Sequence, residues 1–117
     1  MIRLKSQREI AIMRDAGRIV AECHAALAER IEPGVTTAEL DQFVEQFLAR
    51  HNAIPSFKGY NGFPASICAS VDDVICHGFP SKKRLRAGQV VTIDIGAYYK
   101  GYHGDSAWTY AVGEVSP

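Results

Sequence analysis

The stretch QVVTIDIGAYYKGYHGDSAWTYAV, residues 89–112, determines the fold of this chain. Two runs rich in β-branched and aromatic residues, 89–98 and 103–112, are typical of β-strands. Lys100 and Gly101 stand between them, and a lysine-glycine pair at such a position is typical of a tight turn. The stretch therefore predicts an antiparallel β-hairpin.

The predicted hairpin brings two aspartates onto one face of the sheet. With the turn at residues 100–101, Gly96 lies opposite Asp105, and Asp94 shares the face of Gly96 because side chains alternate along a strand. Asp94 and Asp105 are then diagonal neighbours, with Cβ atoms somewhat less than ~7–8 Å apart. Two acids so placed repel each other unless a cation or a shared proton lies between them. The spacing leaves two interpretations open: a metal site with oxygen ligands, or carboxylates that bind backbone amides or face water.

Two helices are predicted before the hairpin. Ser6 and Glu9 form a capping-box pattern, and apolar residues recur at helical spacing behind it, which predicts one long helix that ends at residues 32–34. Thr36 and Glu39 repeat the pattern for a second helix, which should fade near residues 50–52. The apolar stripe of the first helix also includes a histidine; its members are Ile10, Met13, Gly17, Val20, His24 and Leu27.

The remaining segments complete the predicted fold. Residues 55–64 hold two prolines, two glycines and three aromatics, a composition typical of an ordered loop. Residues 66–70 and 74–76 are short β-prone runs around a predicted turn at residues 72–73. Helices followed by strands predict an α+β fold, with two helices packed on an antiparallel sheet in a single domain over residues 1–117.

Composition narrows the class of protein. The chain has 117 residues, with 13 Lys+Arg against 13 Asp+Glu, so no excess charge favours nucleic acid or an acidic membrane. Its apolar runs are far shorter than the ~20 residues of a membrane span. Three cysteines without a CxxC pair, and no signal-peptide pattern, predict a reduced, cytoplasmic protein that does not contact membranes.

His77 is a further candidate for chemistry, because it follows a short predicted strand and precedes a turn. A histidine there could hydrogen-bond a substrate or move a proton near neutral pH, or simply end the strand with a hydrogen bond. Cys76 beside it does not make a convincing Cys/His nucleophile, since adjacent strand residues point to opposite faces.

Three segments together resemble type I methionine aminopeptidases, the dinuclear metal enzymes that remove the initiator methionine from new bacterial proteins. The segments are REIAIMRDAGRIVAECH (8–24), PSFKGYNGFPASICASVDDVICHGFP (55–80) and VVTIDIGAYYKGYHGDSAWTY (90–110). The resemblance covers essentially the whole chain. It implies one half of the "pita-bread" fold, in which two pseudo-symmetric α+β halves hold the metals between them, and this chain corresponds to the N-terminal half.

The resemblance also implies roles for individual residues. Asp94 is similar to the family's chelating aspartate, and Asp105 to the aspartate that bridges both metals. His77 is similar to the histidine that contacts the scissile peptide and helps to stabilise the tetrahedral intermediate. The residues similar to the pocket for the methionine side chain are Tyr60, Phe63 and Cys68. The implied cofactors are two divalent ions, with Mn, Fe, Co and Zn not distinguished by ligand type, and the implied substrate is a peptide or nascent protein that begins with Met.

The family completes its metal shell with a later histidine and two later glutamates from the second half. An alternative to catalysis is therefore a non-catalytic half-domain that binds metal or self-associates as a pseudo-symmetric homodimer. A further possibility is that the basic loop at residues 82–86 contacts ribosomal RNA, although charge runs of this size are usually solvated.

Overall fold

The computed structural model describes residues 6–56, 65–72, 80 and 82–113. It confirms the predicted α+β fold, in which two helices pack on a four-stranded antiparallel sheet. Within the described residues, no helix is long and apolar enough to cross a membrane. The elements are helices α1 (Gln7–Ala28) and α2 (Thr37–Arg50), and strands β1 (Ile54–Pro55), β2 (Ile67–Val71), β3 (Val90–Tyr99) and β4 (Tyr102–Ala111).

Helix α1 begins as predicted and ends earlier than predicted. The Glu9 amide donates to Ser6 Oγ at 3.1 Å, and the Ser6 amide donates to Glu9 Oε1 at 3.1 Å, which confirms the capping box. The helix ends at Ala28, before the proline and glycine at residues 33–34 that were predicted to end it. The reason is tertiary: the chain turns there so that Ile31, only 9% exposed, enters the core.

Helix α2 matches its prediction at both ends. Thr36 Oγ1 accepts a hydrogen bond from the Glu39 amide at 3.1 Å, and the last helical residue is Arg50. The helix buries one stripe of side chains, among them Leu40, Val44 and Leu48. Burying each such side chain contributes roughly 1.5–3 kcal/mol, so this stripe fixes α2 against the sheet.

Strand β3 is the centre of the sheet. It pairs along its whole length with β4, so β1 and β2 share its other edge. The predicted register is confirmed, with Gly96 opposite Asp105 and Tyr99 opposite Tyr102. Both strands differ by one residue from their predicted bounds. The turn residues Lys100 and Gly101 have φ values of 48° and 91°, the left-handed pair that two-residue hairpin turns favour.

The two faces of the sheet differ in environment. Alternate residues of β3, including Val91, Ile93 and Ile95, are fully buried against the helices. The opposite face, which we call the open face, is lined largely by exposed and half-buried side chains. Its members on the two long strands are Val90, Thr92, Asp94, Gly96, Tyr98, His103, Asp105, Ala107, Thr109 and Ala111.

Candidate metal centre

Asp94 lies in the middle of the open face. It is on β3, directly opposite Cys68 of β2 and Ala107 of β4. Its neighbours Ile93 and Ile95 point into the core, and this packing fixes the orientation of the backbone. The strand therefore presents a half-buried carboxyl group between two other strands.

Asp105 is the diagonal neighbour of Asp94, as the sequence predicts. It is exposed and stands opposite Gly96, which is buried. The pKa of Asp94 is raised from 3.8 to about 7, mainly by burial and further by a hydrogen bond to the Asp105 side chain and by its charge. A hydrogen bond between two carboxyl groups needs a proton, so in this structure the pair is suited to share one.

The pair also has the chemistry to hold a divalent ion. The Oδ1 atom of Asp94 is buried and has no hydrogen-bond partner among the described residues. A buried carboxylate oxygen without a partner is costly, and a cation bound there would offset that cost. Carboxylate oxygens are ligands for hard divalent ions, and a bound ion would replace the shared proton. The residues therefore fit a metal.

The ligand set in the described part of the chain is incomplete. Residues 6–56, 65–72, 80 and 82–113 contain no group of three or more His, Cys, Asp or Glu side chains that could hold an ion. Catalytic metal sites usually take at least three protein ligands. Asp94 and Asp105 by themselves are too few ligands for such a site.

Cys68 is the one pocket candidate from the sequence that the structure describes. It is half-buried on the open face, directly across from Asp94. The start of its strand is held by Asp41 on α2, whose Oδ1 accepts from the Ser66 amide at 2.7 Å and the Ile67 amide at 3.0 Å. The other candidates, Tyr60, Phe63 and His77, lie outside the described residues, as does the β-prone run at residues 74–76.

Helix α1 packs closely behind β4 where the strand carries Asp105. Gly104 touches the helix backbone, because a Cβ atom placed on it would lie 2.8 Å from the carbonyl carbon and oxygen of Ala16 and 2.9 Å from the Gly17 nitrogen. Only glycine permits this approach. The glycine before Asp105 thus determines how closely the strand approaches the helix.

His24 connects the same helix to the other side of Asp105. The histidine is fully buried, and its Nε2 donates to the carbonyl oxygen of Ser106 at 2.9 Å. Its Nδ1 lies 2.5 Å from Tyr110 Oη, and its ring stacks on Trp108 with centroids 4.6 Å apart and an interplanar angle of 6°. Burial lowers the pKa of His24, which favours the neutral ring.

The beginning of β4 has two further anchors. The Tyr102 hydroxyl donates to Glu9 Oε2 at 2.5 Å, and Ser56 Oγ lies 2.8 Å from His103 Nδ1. These contacts join the strand to the start of α1 and to the residue after β1.

The sequence predicted that the two aspartates share one face of the sheet, but it did not predict that His24 attaches α1 to β4. A histidine in the apolar stripe of a helix signals a buried ring, and that signal was present. Its partners Ser106 and Tyr110 are 82 and 86 residues further along the chain, so no local pattern identifies them.

Two helices on one face of an antiparallel sheet, with a carboxylate pair on two neighbouring strands of the other face, match one half of the pita-bread fold. The chain belongs to metallopeptidase family M24, whose family model matches residues 11–117. It is 56% identical over 116 residues to methionine aminopeptidase 1 of Bacillus subtilis, a match that covers 99% of this chain and 47% of that relative. The chain thus spans about half the length of the curated relatives that it matches.

Solved structures give the same result. The crystal structure of methionine aminopeptidase from Rickettsia prowazekii matches with a TM-score of 0.95 and 39% identity, over 99% of this chain and 47% of that one. The Xaa-Pro dipeptidase from Bacillus anthracis matches with a TM-score of 0.81 and 32% identity, over 97% of this chain and 30% of that one. The half-fold is therefore shared with M24 enzymes of different substrate preference, and the similarity to methionine aminopeptidases is the greater.

Proposed function

We propose that this chain provides the N-terminal half of a methionine aminopeptidase site, which removes methionine from the N-terminus of a peptide or nascent protein. The observation that carries the proposal is the pair formed by Asp94 and Asp105, with a buried carboxylate oxygen that lacks a partner. Membership of family M24 and the similarity to methionine aminopeptidases support the reaction class.

Asp94 and Asp105 would be the residues of this chain that hold the metal. Divalent ions, when bound, supply Lewis-acid chemistry that activates water and polarises the peptide carbonyl. Before they bind, the Asp94 carboxyl group gives up the proton that it shares with Asp105. Mn, Fe, Co and Zn all accept such oxygen ligands.

The substrate would lie beside this pair. Cys68 is adjacent to Asp94 on the open face, and a thiol is a suitable neighbour for an apolar, polarisable thioether. Tyr60 and Phe63 would complete the methionine pocket with aromatic rings. His77 would donate a hydrogen bond to the oxygen that becomes negative as the peptide carbonyl is attacked. These four roles follow from the resemblance to the family.

Release of methionine from a Met-Ala peptide tests the proposal. The 117-residue chain is assayed with Mn²⁺ or Co²⁺, beside an Asp105→Asn sample prepared identically to reveal a contaminating host enzyme. Turnover that Asp105→Asn abolishes supports the reaction for this chain. Equal turnover in both samples would overturn the proposed role of Asp105, and no turnover in either would mean that this half of the site does not act without the remaining ligands.

A second candidate function is non-catalytic, a half-domain that self-associates through the open face. Large apolar side chains on this face are exposed: Ile54 at 60%, Val90 at 39% and Tyr98 at 38%. A two-fold pairing would cover them and bring the aspartates of both copies together, where a divalent ion would offset their repulsion. Light scattering with and without Mn²⁺ tests it: a metal-dependent dimer lost in Asp94→Asn supports the pairing, and a monomer at all concentrations contradicts it.

A further inference from the structure

We propose that His24 is a positioning residue for the two carboxylates of Asp94 and Asp105, because it fixes the strand segment that carries Asp105 to helix α1. The inference rests on the proposed function, since it assigns to His24 an effect on metal binding at Asp94 and Asp105. His24 itself lies on the helix side of the sheet, whereas both carboxylates are on the open face. Its effect must therefore pass through the backbone of β4.

Both chain neighbours of Asp105 are attached to the same helix. Gly104 meets the backbone of Ala16 and Gly17 so closely that no Cβ atom fits between them. Ser106 accepts a hydrogen bond from His24 Nε2 at 2.9 Å. Asp105 is thus held on either side, which fixes the position of its Cα atom relative to α1.

Strand β4 needs such attachments because it pairs only with β3 within the described residues. A strand paired along one edge has fewer constraints on its displacement than a central strand. Helix α1 also packs against β3, the strand of Asp94, so it connects the two strands independently of their hydrogen bonds. The helix therefore serves as the common reference for both carboxylates.

The histidine is well suited to fix a position. Trp108 stacks on one face of its ring, Tyr110 Oη meets Nδ1, and the ring is fully buried. Burial and the stack on Trp108 fix the plane of the ring, so Nε2 presents its proton at a defined point. Groups that hydrogen-bond a metal ligand directly change metal affinity about 10- to 100-fold when they are removed, so the lower end of this range is expected for a group that acts through the next residue.

Four substitutions distinguish an effect of His24 on the position of Asp105 from an effect on the folding stability of the chain. His24→Phe keeps a ring against Trp108 and removes the donor to Ser106, whereas His24→Gln keeps a nitrogen donor at the same number of bonds from Cβ. Tyr110→Phe is the matched control, because it removes the hydrogen bond at Nδ1 and leaves Nε2 in place. His24→Asn, one methylene shorter than Gln, replaces His24→Phe if that protein does not fold.

The first measurement is Mn²⁺ affinity of the folded 117-residue chain, with folding checked by near-ultraviolet circular dichroism. We expect His24→Phe to weaken binding about 10-fold, and His24→Gln and Tyr110→Phe to bind within about 2-fold of the parent chain. A merely structural role predicts instead that affinity is unchanged in every folded variant, or that it falls equally in Tyr110→Phe. Either of those results would overturn the inference.

The second measurement needs no metal: the ¹³C chemical shifts of the Asp94 and Asp105 carboxyl carbons at one fixed pH. We expect them to move in His24→Phe and to return in His24→Gln. If the parent chain binds no Mn²⁺, the metal site of the proposed function fails, and these shifts still decide the positioning. Shifts that stay constant in His24→Phe would overturn it.

Discussion

Asp94 and Asp105 contact each other across two neighbouring strands, and Asp94 keeps its proton up to a pH of about 7. Burial is the main cause, and the Asp105 carboxyl group adds a hydrogen bond and a negative charge. A folded chain without metal therefore contains an acid that is protonated where an ordinary aspartate is ionised. The contribution of Asp94 to the stability of the fold must therefore depend on pH in the direction opposite to that of a carboxylate paired with a cation.

We expect Asp94 to make the metal-free chain less stable as the pH rises from about 4 to about 7. Between its ordinary pKa of 3.8 and its folded pKa of about 7, the folded state binds the proton and the unfolded state does not, so rising pH favours unfolding. For an isolated group such a change corresponds to about 4 kcal/mol. Asp105 is exposed and solvent screens the pair, so we expect about 1–2 kcal/mol.

Urea denaturation in EDTA, compared between the parent chain and Asp94→Asn, measures this effect. The two proteins should differ least near pH 4, and Asp94→Asn should gain relative stability as the pH rises through 7. The difference between the curves is the relevant quantity, because other groups titrate in both proteins. Parallel curves across this range would show that the two carboxyl groups do not interact as described.

His24 should produce an optical signal in the chain's single tryptophan. The imidazole stacks on Trp108 at 4.6 Å, and a protonated imidazole in such contact quenches indole fluorescence. Burial lowers the pKa of His24 below 6.5, so emission should fall only at a pH lower than that. The unfolded state binds this proton more readily, hence His24 also makes the fold less stable as the pH falls through the same range.

A fluorescence titration of folded protein tests this, with His24→Phe as the variant that lacks the titrating ring. The acid quench should be absent in that protein. Asp94→Asn is the control for the carboxyl pair and should keep the quench. A transition at or above pH 6.5, or one that persists in His24→Phe, would contradict the contact.

The hairpin was predictable from sequence because one short turn fixes every pairing that follows it. Once Lys100 and Gly101 are placed in the turn, Gly96 must face Asp105, and the positions of the two aspartates follow from alternation alone. The fold class followed in the same way from caps and periodicity. These features depend on neighbours in sequence, so a single chain reveals them.

Other features depend on contacts between distant segments and were not predictable. The proline at residue 33 sets only the latest possible end of α1, and the helix ends at Ala28 because Ile31 is drawn into the core. The strand β1 was absent from the prediction, since its two residues become a strand only by pairing with Ala97 and Tyr98. Similarly, the link between His24 and Ser106 joins residues far apart in the chain.

Gly104→Ala should destabilise the chain by about 1–3 kcal/mol, because its Cβ would overlap backbone atoms of Ala16 and Gly17 that cannot move independently. Gly17→Ala is the matched control on the other side of the same contact. Its Cβ meets no atom within 4 Å, and alanine is favoured over glycine in a helix, so this variant should gain up to about 1 kcal/mol. Urea midpoints measure both. Equal effects would mean that α1 and β4 are further apart than described.

Asp41→Ala should cost about 1.5–3 kcal/mol, because one carboxylate oxygen accepts the amides of both Ser66 and Ile67 at the start of β2. Asp41→Asn keeps an acceptor oxygen at the same place, so it should recover part of this loss. Urea denaturation gives the two values. Since β2 carries Cys68 opposite Asp94, amide exchange along β2 should also rise in Asp41→Ala and remain near that of the parent chain in Asp41→Asn. Unchanged amide exchange in Asp41→Ala would mean that pairing with β3 alone holds β2 beside Asp94.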